Sequence, residues 1–294
     1  MEKIKRFLQS KEMGTRSLIF ACIVSMSMFC FILIADAATV KDMHEKMIYP
    51  VVRVTCGNSG GSGTVIYSES DGDKWSSYVL TNHHVISSAI DVIEEWDPDL
   101  QKEVKKEKRS TVYVEIFKYK NISIPIGTLK VEANIVIYNK AEDMALLKLS
   151  MEDAVTYVAT LMPRNKLDSI HVFDGTVAVG CSLLFPPLPT SGEITRQNFQ
   201  VDSLPFNMSS SQIIYGNSGG AMFTSDGRLI GIPSLVALAG WSTPITHMGL
   251  FIPIERIYDW LIKEHYDFIF NPEKKEKECL ELREKEIKAK TKKE

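Results

Sequence analysis

Between Val51 and about Ile254 the chain reads as a succession of short β-rich runs, among them VVRVT, GTVIY, SYVLT, TVYVEIF, NISIPIG, NIVIY, ALLKL, TVAVG, GEIT, GAMF and RLIGI. Turn signals such as SDG and GNSG separate them. A βαβ fold needs long amphipathic helices between its strands, so this pattern points to an all-β chain of antiparallel barrels or a sandwich. The charged stretch DVIEEWDPDLQKEVKKEKRST reads as a surface loop or a short helix. After the strands, IPIERIYDWLIKEH spaces Ile254, Ile257, Tyr258, Leu261 and His265 as one apolar helix face, which predicts a helix closing the domain. Residues 272–294 mix Lys and Glu around Leu280, Leu282 and Ile287, too few apolar side chains for a core, and predict an exposed helix or a disordered charged tail.

Residues 1–37 stand apart. Lys3, Lys5, Arg6, Lys11 and Arg16 precede the apolar run SLIFACIVSMSMFCFILI, and Ala35 and Ala37 follow at the spacing of a cleavage site. The segment predicts a signal peptide or, if uncleaved, a membrane anchor, with the remaining chain exported to the periplasm or the extracellular space in either case. The exported part holds three cysteines, Cys56, Cys181 and Cys279, an odd number that cannot pair completely. No Cys/His spacing suggests a metal, and the net charge of -3 gives no basic surplus that would draw nucleic acid.

The motif GNSGG occurs twice, with Ser59 in the first copy and Ser218 in the second. A serine becomes a nucleophile only when a base takes its proton and a third group orients that base. YVLTNHHVI offers His83 and His84, AEDMALLKL offers Asp143, and YGNSGGAM offers Ser218, in the order His, Asp, Ser. Adjacent residues of an extended segment face opposite ways, so only one of the two histidines can reach the serine.

With these pieces in order, the chain resembles the trypsin-like (chymotrypsin-fold) serine proteases, most closely the HtrA/Deg branch. GSGTVIY, VLTNHHVI, EDMALLKL, VAVGCSLLFPPLPTSGEIT, GNSGGAMF, GRLIGIPS and GLFIPI carry the resemblance from about Val51 to Leu261. It implies two antiparallel six-stranded β-barrels, roughly residues 45–160 and 165–253, with a closing helix at 254–265 in a protease domain spanning 38–265. It also implies a His84, Asp143 and Ser218 triad, an oxyanion hole from the backbone N–H groups of Gly216 and Ser218, and no cofactor. Ser59 then belongs to a structural glycine turn, and Glu142 beside Asp143 is a solvated charge. Asn217 replaces the aspartate that pairs with a newly cut N-terminus in digestive members, so that activation route is absent. The 294 residues lead to the expectation that the PDZ domain typical of the branch is missing, and a trimer, common among relatives, finds no support in the sequence.

The implied activity is hydrolysis of peptide bonds in protein or peptide substrates through an acyl-enzyme. A neutral histidine base implies a rate that rises with pH through the usual imidazole region, about 7. By resemblance, Gln212, Ile213, Ser234, Leu235 and Val236 line the primary pocket. No acid occurs in SSSQIIYG, so small or medium aliphatic residues are expected on the acyl side of the cut. Two other readings stand beside this one. GNSGG also fits the α/β-hydrolase elbow, with Asp259 and His265 as partners, but that elbow needs a helix after the serine where AMFTSDGRLIGI reads as a hairpin. A catalytically silent exported scaffold on a protease fold is the second.

Overall fold

The computed structural model describes residues 40–72, 74–98, 101–240 and 242–291. Residues 40–43 end a separate N-terminal unit, and His44 opens the unit that carries the strands. The segment read as a signal peptide or anchor lies outside the described residues. Among the described residues no helix is long and apolar enough to cross a membrane.

The first half of the strand-bearing unit contributes β1 (Val51–Cys56), β2 (Ser59–Asp71), β3 (Lys74–Thr81), β4 (Ile90–Asp97), β5 (Lys102–Arg109), β6 (Val112–Lys120), β7 (Ile124–Asn139) and β8 (Met144–Leu149). Six of these close a barrel in the order β1-β2-β3-β8-β7-β6. Val52, Val54, Val65, Val79, Val114 and Leu147 fill its interior. On the outer face, Val51, Tyr78, Leu80 and Leu146 join a second core that continues into the other sheet. Strands buried on both faces need apolar residues at successive positions, which is why residues 78–80 and 145–147 read as unbroken runs rather than alternations.

The second half contributes β9 (Thr160–Leu161), β10 (Gly175–Gly180), β11 (Leu188–Val201), β12 (Leu204–Ser209), β13 (Ala221–Thr224), β14 (Arg228–Ala239) and β15 (Thr243–Pro253). Their order is β13-β10-β11-β12-β15-β14-β9, and β13 pairs back onto β14, so six antiparallel strands form a ring to which β9 adds in parallel. The all-β class with a C-terminal helix is therefore as the strand pattern implied. The closing helix spans Ile254–Lys263 and buries Ile254, Ile257, Tyr258, Trp260 and Leu261. Each such side chain contributes roughly 1.5–3 kcal/mol on burial. His265 lies beyond the helix at φ +59.

Three local expectations change. The charged insertion is neither loop nor helix: β4 and β5 form a separate hairpin that pairs Asp91 with Lys108 and Glu94 with Lys105. Opposite charges across strands are worth about 0.2–1 kcal/mol each, and Val92, Ile93 and Trp96 suit an extended backbone. The run NISIPIG starts as a turn, with Asn121 and Ile122 at positive φ, and only Ile124 onward enters β7. Finally, the charged tail is docked at its start. A helix over Glu276–Thr291 buries Cys279 to 4% exposure and packs Leu280 on the core, while Leu282 and Ile287 stay exposed. Glu276 accepts hydrogen bonds from Tyr78 Oη (2.6 Å) and Lys148 Nζ (2.7 Å), and Arg283 pairs with Glu264 at 3.0 Å. Hydrophobic periodicity missed this because specific polar contacts hold much of the helix in place.

Candidate active site

β3 delivers the histidines. Beyond Thr81, His83–Ile86 form a single helical turn rather than the extended segment expected. Neighbours on such a turn diverge by about 100°, so the two rings still separate. His83 is buried against Tyr138, with ring centroids 5.2 Å apart, whereas the His84 side chain remains 47% exposed. Burial lowers the His83 pKa, favouring the neutral ring, with Asp143 opposing and Lys140 and His84 reinforcing the shift.

Asp143 enters at the turn before β8 with φ +57, a left-handed conformation rare for residues other than glycine. Asn82 Nδ2 donates to its carbonyl at 2.8 Å and helps hold that backbone. The Asp143 carboxylate lies 2.8 Å (Oδ2) and 3.0 Å (Oδ1) from His84 Nδ1, and Oδ1 also accepts the His84 backbone N–H at 3.0 Å. Ser234 donates its hydroxyl to Oδ2 at 2.7 Å. Burial pushes the carboxyl pKa up, but the His84 ring and charge, the Ser234 hydroxyl and the His84 N–H together outweigh it and hold the group below its ordinary value. Glu142, expected to be solvated, is instead part-buried. It pairs with Arg256 at 3.4 Å, accepts from Asn139 Nδ2 at 3.0 Å, and donates its N–H to Asn139 Oδ1.

Both GNSGG copies meet at one place. Ser59 opens β2 opposite Cys56 and is exposed in the hairpin. Ser62, three residues on and fully buried, reaches the second copy: its N–H donates to the Ser218 carbonyl (2.8 Å) and its hydroxyl to the Gly216 carbonyl (2.6 Å), while accepting from Cys181 N (2.7 Å). Gly61 and Gly219 are glycine by necessity. A Cβ on Gly61 would lie 2.8 Å from Val85 and 3.1 Å from the Ser218 carbonyl, and one on Gly219 would lie 2.3 Å from Thr81 Oγ1 and 3.0 Å from Asn82 N. The turn carrying Ser218 is thus pressed against the segment carrying His84. Among the described residues Ser218 Oγ makes no hydrogen bond; such bonds are often long in a resting site.

Backbone orientation follows from the same contacts. The Tyr215 carbonyl accepts from Leu183 N (2.8 Å) and the Asn217 carbonyl from Gly220 N (2.9 Å). In a trans peptide the N–H points opposite to the C=O, so the Gly216 and Ser218 N–H groups are turned away from those partners, and neither meets a protein acceptor among the described residues. Two unbonded N–H groups beside a serine can receive a developing negative oxygen. Asn217 is fully buried and accepts the Ser182 hydroxyl at 2.5 Å.

The residues expected to line a pocket separate. Ile213 is buried, its N–H bonded to Thr246 O, and a Cβ on Gly249 would lie 2.3 Å from its Cδ1. Gln212 is exposed nearby, and Leu235 and Val236 lie on β14 opposite Leu250 and Gly249. Ser234 turns its hydroxyl to Asp143 instead. Its neighbours IPS carry no local sign of that contact, and Ser62 was missed for the same reason. Asp259 and His265 are engaged elsewhere, with Arg164 (3.4 Å) and Glu286 (3.0 Å), and strand β13 follows Ser218 where a hydrolase elbow requires a helix. Cys56, Cys181 and Cys279 are free and buried, and burial pushes the Cys181 thiol up to about 12.

Two antiparallel sheets, a carboxylate–histidine pair and a GNSGG turn held against it define the class of chymotrypsin-like folds. The trypsin-like peptidase domain model matches residues 61–232, more than half of the chain, and the chain belongs to that family. Its relatives lie in the HtrA branch. The serine protease Do-like HtrA of Lactococcus lactis subsp. cremoris is 30% identical over 225 residues, 71% of this chain and 46% of its own. The serine endoprotease DegS of Haemophilus influenzae is 26% identical over 211 residues, 70% and 50% of the two chains. The chain thus spans about half the length of these curated relatives. Among solved structures, the HtrA-type protease AlgW with tripeptide aligns with a TM-score of 0.55 at 19% identity, covering 78% of this chain and 64% of that one. At that identity the likeness speaks for the fold alone.

Proposed function

We propose that this chain is a serine endopeptidase that hydrolyses peptide bonds in protein or peptide substrates through an acyl-enzyme. Ser218 attacks the carbonyl, His84 takes the proton from Oγ and later delivers it to the leaving amine, and Asp143 holds the imidazole with Nδ1 as the protonated nitrogen. The Gly216 and Ser218 N–H groups receive the oxyanion. No metal or cofactor enters the scheme. The observation that carries this reading is the Asp143 carboxylate, which engages both Nδ1 and the backbone N–H of His84 while Ser234 supports it from behind, leaving the rest of the ring to the solvent side.

The acyl-side pocket in this reading lies between Ile213 and β14 at Leu235 and Val236, with Gln212 at its rim, and it takes small or medium aliphatic residues. A lysine panel cleaved in preference to a valine panel would overturn that preference. The basic and apolar character of residues 1–37 supports work outside the cytoplasm, by secretion or by attachment to a membrane; a relative in Pseudomonas fulva is called a probable periplasmic serine endoprotease DegP-like.

The test is intact mass after treatment of the full chain with a fluorophosphonate, beside Ser218→Ala and Ser59→Ala. One adduct on wild type and Ser59→Ala, and none on Ser218→Ala, is the expected result. A folded wild type that stays unlabelled would sink the reading and favour the silent scaffold.

A further inference from the structure

Beside the Ser218 turn, four large apolar side chains face solvent: Leu183 (60% exposed), Leu184 (41%), Phe185 (59%) and Tyr215 (62%). Leu183 and Leu184 also hold consecutive left-handed backbones, at φ 51 and 63, a conformation that bulky residues rarely adopt. Such strain persists only where the surroundings over-determine it, and it gathers at functional sites. Here the surroundings do so. Leu183 N donates to Tyr215 O (2.8 Å), Leu184 N to Cys181 O (2.8 Å), Phe185 N to Ser182 O (3.0 Å) and Arg53 Nη1 to Leu184 O (2.5 Å).

The loop lies directly on the turn whose N–H groups face the candidate oxyanion position. A Cβ on Gly216 would lie 2.4 Å from Cys181 O and 2.7 Å from Leu183 N. It also occupies a definite flank of Ser218. On one side Gly219 N donates to Pro233 O, which leads into the β14 residues of the acyl-side pocket. On the other, Ser62 N donates to Ser218 O, and Leu184 lies over Gly60, 3.0 Å from where a Cβ would be. A substrate whose acyl side occupies the β14 flank leaves across this opposite one. The segment CSLLFPPLP contains no charged residue, and Glu115 pairs with the supporting Arg53 at 2.5 Å.

We infer that Leu183, Leu184, Phe185 and Tyr215 form a leaving-group-side subsite that selects large apolar residues at the first or second position after the scissile bond. The inference rests on the proteolytic reading above. A hydrophobic contact of this kind discriminates by roughly 10- to 100-fold, and an acidic residue entering an apolar subsite loses its hydration without a partner.

The experiment measures kcat/KM of the full chain on two peptide sets, one holding the acyl side constant with Leu, Phe, Ala or Asp at the first or at the second position after the cut, the other varying the acyl side alone. The expected result is a preference of roughly 10-fold or more for Leu and Phe over Asp on the first set. In Phe185→Ser and Leu184→Asn that preference shrinks several-fold while the ratios on the second set match wild type; asparagine tolerates the left-handed backbone. Val92→Ser, which removes an exposed apolar residue on the β4–β5 hairpin, keeps the wild-type preference. A chain that labels at Ser218 but cuts Leu and Asp peptides alike overturns this inference and leaves the proteolytic reading standing. Equal cutting combined with binding to phosphatidylglycerol vesicles that Phe185→Ser weakens several-fold, and Val92→Ser does not, assigns the loop to a lipid surface and also overturns it. A chain that does not label at Ser218 overturns both.

Discussion

Replacing Glu276 by leucine tests whether the C-terminal helix is part of the folded unit. In the wild type one carboxylate oxygen accepts from Tyr78 Oη at 2.6 Å and from Lys148 Nζ at 2.7 Å, with the Glu276 side chain 13% exposed and Tyr78 fully buried. Glu276→Leu leaves the Tyr78 hydroxyl without that acceptor, at a cost of about 1–3 kcal/mol. Lys148 turns to water, since 35% of its side chain is already exposed, and adds about 0.5–1 kcal/mol. The expected loss is about 2–3 kcal/mol, a fall in Tm of about 5–10 °C for a unit of this size. Tyr78→Phe removes the orphaned hydroxyl, so in the double variant part of the loss returns. Urea and thermal melts of the four proteins should give a coupling of about 1–2 kcal/mol. A Glu276→Leu protein melting within a degree of wild type, or additive losses, would show that the helix is not held by this contact.

Ser234→Ala removes one donor to Asp143, so its carboxyl pKa rises and kcat falls roughly 10-fold with KM little changed; an unchanged kcat at every pH would refute the positioning role. Gly216→Ala forces a Cβ to within 2.4 Å of Cys181 O at φ +96, which should displace the turn and cut kcat/KM by roughly 100-fold or more while the circular dichroism spectrum is retained. Because folding lowers the His83 pKa, the unfolded chain takes up that proton first as pH falls. Its contribution is full above the ordinary value of 6.5 and is lost as pH drops through the folded one. His83→Phe should flatten the loss of stability between about pH 7 and 5, and equal slopes in the two proteins would contradict this.

Sequence by itself determined the all-β architecture, because strand and turn signals are local: alternation, β-branched runs and glycine turns are set by neighbours a few residues apart. It also marked His84, Asp143 and Ser218 as candidates, through residue types in a recognisable order. What joins them was not legible. The Ser62 hydroxyl meets Gly216 across 154 positions and Ser234 meets Asp143 across 91, contacts that no neighbouring residue announces. The inward turn of His83, the docking of Glu276 on Tyr78 and the left-handed leucines at 183 and 184 belong to the same group. Each depends on which distant backbone lies alongside, and only closure of the two sheets on each other decides that.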